Sequence, residues 1–139
     1  MAEARKNNWA MVVAVTDAAG DLVYFEKMDG VMTGSVAVAQ GKACSAAIFK
    51  RPTKVWQDIV AGGGDGLRIL TLQGAVAIEG GLPLIVDGKI VGAIGLSGGS
   101  APSERAMREG GSGCLRSVLC AGRSGEWEAG GFQRGILRL

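Results

Sequence analysis

The sequence predicts an α+β domain: an antiparallel sheet built from hairpins, with helices covering at least one face. Three observations carry this. Two pairs of strand-length apolar runs each bracket a turn signal, one over residues 10–28 and one over residues 82–96. Between them, residues 35–50 place apolar side chains at helical spacing, and Pro52 ends the run. A hydrophobic fraction of 47% over 139 residues supports one core, and the length suits one domain.

Taken in order, residues 2–8 read as the last turns of a helix that exposes Glu3, Arg5 and Lys6. Residues 10–16 and 22–28 read as strands around a turn at 18–21, and Asp29-Gly30 closes the hairpin. The helix of residues 35–50 carries Val36, Ala39, Ala43, Ala46, Ala47 and Phe49. These are mostly small, so the helix can lie close to a sheet. Thr53 is expected to cap a second, short helix through Val60. Residues 61–66, rich in glycine, read as a loop, and residues 75–79 as a middle strand. The second hairpin turns at Asp87-Gly88, because a type I′ turn needs φ > 0 at both central positions. After Ser97-Gly-Gly-Ser100, Pro102 fits the first turn of a helix that runs roughly to Arg108. From Gly110 the chain has no sustained period and reads as irregular. The expected division is therefore a domain over residues 1–109 and an atypical Gly/Arg/Cys tail over 110–139.

Composition excludes several function classes. The chain contains no histidine, which removes Ser-His-Asp and Cys-His nucleophile systems, His metal sites and His-ligated haem. The net charge is +2; residues 1–100 hold nine Lys/Arg and nine Asp/Glu, and residues 101–139 hold six and four, so the excess lies in the tail. No basic cluster alternates with aromatics, so no nucleic-acid surface is expected. No apolar run approaches the ~18 residues of a membrane span. Three cysteines without a C-x-x-C pair, and no signal peptide, point to a reducing compartment and a cytoplasmic protein.

Four motifs carry possible chemistry. Gly95-Leu-Ser-Gly-Gly99 matches the nucleophile-elbow pattern between a strand and a helix. Without histidine Ser97 lacks the usual base, so the segment reads as a strand-to-helix turn whose free N–H groups, at Ser97 and Gly98, suit an anion. Gly92 and Gly95 lack side chains, so something packs or binds close to that strand's backbone. Lys50 and Arg51 put cations at a helix C-terminus, where they meet the dipole or clamp a ligand carboxylate. Gly62-Gly-Gly-Asp-Gly66 is neither a P-loop nor a dinucleotide fingerprint. It is a mobile connection or a loop that closes over a ligand. Cys44 reads as a core thiol, while Cys114 and Cys120 make a poor metal site without His or a third nearby Cys.

Residues 10–100 resemble the GlcG/HbpS family, which includes the C-terminal domain of PduO-type proteins. The resemblance rests on Val13-Ala-Val-Thr-Asp-Ala-Ala-Gly-Asp-Leu-Val23, Met28-Asp-Gly30, Gly41-Lys-Ala43 with Phe49-Lys-Arg-Pro-Thr53, and Gly80-Gly-Leu-Pro-Leu84 with Val91-Gly-Ala-Ile-Gly-Leu-Ser-Gly-Gly99. It implies a profilin-like fold, an antiparallel sheet of about five strands flanked by helices, and assembly into homo-oligomers. It implies a small-molecule ligand, with haem as a candidate, and no general reaction. Two departures stand out. Only the end of the family's long first helix is present, at residues 2–8, and the family's terminal helix gives way to the Gly/Arg/Cys tail. A truncated start and a substituted or frame-shifted end would account for both.

The residues and the resemblance together point to a small-ligand-binding protein without evident catalytic machinery. Its ligand would contact Lys50, Arg51, Gly92, Gly95, Ser97 and Gly98. A haem would not be His-ligated; an axial ligand would come from Met, Cys, Tyr, Lys, a hydroxyl or water. Two alternatives stay open: an oligomeric accessory subunit linked to small hydroxy-acid or diol catabolism, and an enzyme acting on a small organic acid.

Overall fold

A computed structural model describes residues 1–99, the side chains of residues 2 and 3 excepted. The expected helix at 102–108 and the tail lie outside the described residues. The elements are α1 (Ala2–Lys6), β1 (Val12–Asp17), β2 (Leu22–Lys27), α2 (Gly34–Ile48), α3 (Thr53–Ala61), a 3-10 helix (Gly64–Thr71), β3 (Gly81–Val86) and β4 (Lys89–Ser97).

Both expected hairpins form, and they share one antiparallel sheet in the order β2-β1-β4-β3. The β3–β4 turn has Asp87 at φ 50° and Gly88 at φ 76°, both in the left-handed region that a type I′ turn demands. In the β1–β2 turn the Asp17 carboxylate accepts hydrogen bonds from the Ala19 and Asp21 N–H groups, at 2.9 and 3.0 Å. This is an Asx turn in the ordinary sense.

The sheet separates two apolar clusters by the two-residue alternation of its strands. Val12 and Ala14 face α2 and pack with Ala39, Ala43 and Val31. Val13 and Leu96 face the other way and pack with Ala4 and Met11, with Met1, Trp9, Met28 and Ile94 around them. Nearer the C-terminal end of α2, Ala46 and Ala47 meet Ala93 of β4. Small residues dominate the α2 contact, as the sequence pattern predicts, and the helix backbone comes down onto the sheet.

Three sequence expectations are corrected. The sheet has four strands among the described residues, because residues 75–79 are not a strand. Their N–H groups bond to helix side chains instead of a ladder: Val76 N–H donates to Ser45 Oγ at 3.1 Å, and Glu79 N–H to Gln57 Oε1 at 2.8 Å. Thr53 does not cap α3 with its side chain; Pro52 precedes the helix, and Thr53 Oγ1 instead accepts the Gly81 N–H at 2.9 Å. The glycine-rich loop leads into a 3-10 helix, and a Cβ at Gly66 would collide with the Ile59 carbonyl of α3. That glycine is a packing contact between two helical turns.

Candidate functional site

The α2–α3 junction builds one cationic feature. α2 ends at Ile48, and Lys50 takes the left-handed conformation at φ 54°. That reversal brings Arg51 back over the first turns of α3. Its guanidinium lies 4.8 Å from the centre of the Trp56 ring, and Arg51 Nε donates to the Phe49 carbonyl at 3.2 Å. Phe49 meets Trp56 edge-on at a centroid distance of 5.4 Å. Trp56 is 6% exposed, and its indole N–H has no hydrogen-bond partner. Arg51 itself is exposed, and among the described residues it pairs with no carboxylate. A guanidinium stacked on a ring loses little freedom when it binds an anion.

The glycines of β4 serve a different contact. A Cβ at Gly95 would collide with the Ala39 carbonyl oxygen and lie 2.6 Å from Ala43 N. A Cβ at Gly92 would collide with the Thr16 carbonyl. The close backbone approach read from the sequence is therefore made by the chain itself, by α2 at Gly95 and by β1 at Gly92. Gly98, at φ 120°, abuts Ala10 and Val31 where the chain leaves the sheet. Ser97 is buried at 7% on the face shared with Gly95.

The six candidate residues accordingly do not form one cluster. Ala93 meets the C-terminal end of α2, Gly95 its middle, and Gly98 the loop before its start. Lys50 and Arg51 stand beyond one end of the helix, Ser97 and Gly98 near the other. α2 has 15 residues and so spans about 22 Å.

One residue the sequence reading passed over is Lys42. It is 1% exposed, and its ammonium donates to the Leu96 carbonyl at 2.9 Å. Buried charges are rare and are held by partners. The signal was available: Lys42 lies between Ala39 and Ala46 on the apolar stripe of α2, where a solvated lysine does not belong. Glu79, also buried at 5%, precedes Gly80 and Gly81, and a Cβ at Gly81 would collide with the Lys42 carbonyl. Serine, threonine, glutamine and lysine of the helices thus tether residues 76–81 and the end of β4.

Fold and site together define an α+β domain in which two helices back a hairpin-built sheet. No group of three or more Cys, Asp or Glu that could hold a metal occurs among the described residues. Comparison with known proteins places it further. The family model described as haem degrading protein HbpS-like matches residues 1–111, and the chain belongs to that family, the GlcG/HbpS family. Protein GlcG of Escherichia coli K12 is 38% identical over 95 residues, covering 68% of this chain and 69% of GlcG. Protein ORFY of Klebsiella pneumoniae superposes with a TM-score of 0.74 at 28% identity, over 84% of this chain and 81% of that one. A PduOC:haem complex superposes with a TM-score of 0.69 at 26% identity, over 86% and 83%.

Proposed function

We propose that this protein binds a small apolar ligand bearing carboxylates, of the tetrapyrrole class, and holds its carboxylates at Arg51 and Lys50. The observation that carries the reading is the Arg51–Trp56 stack, a cation fixed in direction and open to solvent at the turn after α2. The relative solved as a PduOC:haem complex supports haem as the ligand.

The residues present fit part of that ligand. Exposed Ile48 and Val55 flank the clamp and offer apolar surface to a macrocycle. Iron coordination by histidine is closed to a chain with none. Cys44 packs its Sγ against Gly20, which suits a core thiol more than an iron ligand. Binding would rest on apolar burial and charge-assisted hydrogen bonds, neither of which needs an axial bond. Bound haem would supply its own absorbance and redox chemistry.

Ser97 has no catalytic role in this reading, and the protein is a binder more than an enzyme. It acts as a homo-oligomer in the cytoplasm; no helix among the described residues is long and apolar enough to cross a membrane. An absorbance titration with haemin tests the reading. A saturable Soret shift without the spectrum of bis-histidine ligation is expected. A spectrum that stays that of free haemin would leave the accessory-subunit alternative in its place.

A further inference from the structure

We infer that the free edge of β2 is the surface on which a second copy of this chain docks, pairing β2 with β2 antiparallel about a two-fold axis at Phe25. The inference deepens the homo-oligomer reading above and rests on it.

Among the described residues β2 is the outermost strand on its side of the sheet. Leu22, Val23, Tyr24 and Phe25 are all exposed, from 37% at Phe25 to 62% at Val23. α2 lies over β4, β1 and β3, and leaves β2 largely bare. An apolar edge strand of this kind is a template for pairing unless it is protected. The opposite edge, β3, has such protection in Pro83, which donates no ladder hydrogen bond. β2 contains neither Pro nor Gly, and its bulge lies at the Leu22–Val23 end, where Thr16 pairs with Leu22.

The backbone fixes which groups are free. Met28 N–H donates to the Met11 carbonyl at 3.0 Å, and the register continues as Glu26↔Val13 and Tyr24↔Val15. Alternation along an antiparallel pair then turns the N–H and C=O of Tyr24 and Glu26 towards β1, and those of Phe25 and Lys27 outward. A two-fold axis at Phe25 makes Phe25 and the partner's Phe25 a hydrogen-bonded pair, with their rings side by side.

The same axis gives side-chain complementarity. Tyr24 comes opposite the partner's Glu26, twice, on the face where Tyr24 already donates to Glu26 within the chain at 2.7 Å. Lys27 comes opposite the partner's Val23, whose apolar surface takes the lysine stem. No like charges oppose each other within Val23–Lys27. A surface that fits itself under rotation makes a closed isologous dimer and not an open fibre. The result is one continuous eight-stranded sheet.

Light scattering or sedimentation at tens of micromolar, with cross-linking, tests this. The wild type is expected at twice the mass of one chain, and Phe25→Lys, which sets two ammonium groups across the axis, at the mass of one. Phe25→Cys is expected to give a covalent dimer under mild oxidation, because paired Cα atoms of an antiparallel ladder lie within disulfide reach. Ile85→Cys, more exposed still and on the opposite edge, is expected to add no cross-link beyond the wild-type baseline. A monomeric wild type would overturn the surface and the homo-oligomer reading together. A dimer that survives Phe25→Lys, or that cross-links no better at position 25 than at 85, would overturn the surface alone and leave the oligomer standing. If Phe25→Lys lacks the wild-type circular dichroism, the cross-linking pair decides.

Discussion

The ammonium of Lys42, buried beneath α2, donates to the carbonyl of Leu96 at 2.9 Å and so bonds the main helix to the end of the central strand. Leu96 N–H in turn donates to the Gly80 carbonyl, which begins the pairing of β3. Lysine here is an internal cross-brace, and its removal leaves a buried acceptor without that donor. Lys42→Met keeps the stem and loses the donor. It should lower the unfolding free energy by about 1–3 kcal/mol in urea, the usual range for orphaning a buried polar group. Unchanged stability would mean that the bond is dispensable.

At Gly95 the α2 backbone comes closest to the sheet. Gly95→Val puts side-chain atoms where the Ala39 carbonyl stands, with backbone and not a flexible side chain in the way. The expected loss is about 3 kcal/mol, at the upper end for overpacking. Gly34→Val meets open space and is the matched control. Similar thermal midpoints for the two variants would contradict the packing described.

Tyr24 is the one tyrosine of the chain, so alkaline absorbance reports it alone. Its hydroxyl donates to the Glu26 carboxylate, and that bond, followed by burial and the carboxylate's charge, holds its pKa above the ordinary 10.0. A raised value means that the folded form keeps its proton longer. The contribution to stability is therefore complete below pH 10 and disappears as pH rises through the raised value. Glu26→Gln should bring the tyrosinate midpoint back towards 10; a midpoint that does not move would sever the link to Glu26.

The carboxylate clamp has its own test. Arg51→Ala should weaken haemin binding by about 1–3 kcal/mol, the range for a lost charged hydrogen-bond partner. Ser97→Ala should change it little, because Ser97 lies near the far end of α2 from the clamp. Equal affinities for the wild type and Arg51→Ala would remove Arg51 from the site. A hydrolase activity abolished by Ser97→Ala would restore the elbow motif to chemistry.

Much of the fold was legible because its signals are local. Asp87-Gly88 specifies its own turn, and the small residues of α2 announce a helix lying close to a sheet. The middle strand was misread because an apolar run at 75–79 looks like a strand whatever its N–H groups bond to. Only the folded helices bring Ser45 and Gln57 within reach of it. Thr53 was misassigned for the same reason, since its partner Gly81 is 28 residues away. Lys42 was visible as a charge on an apolar stripe and was passed over. Arg51 was found by its place after the helix, but its seat on Trp56 depends on the left-handed turn at Lys50, which sequence does not display. The glycines of β4 were rightly read as close contacts; that α2 and β1 make two of them required the three-dimensional packing.

The most direct measurement of the central claim compares haemin with its dimethyl ester, which keeps the apolar macrocycle and removes both carboxylates. Titrated by absorbance against the wild type, haemin should bind more tightly than the ester, and Arg51→Ala should erase most of the difference. No binding of haemin, or equal affinity of the wild type for acid and ester, would contradict a carboxylate clamp at Arg51.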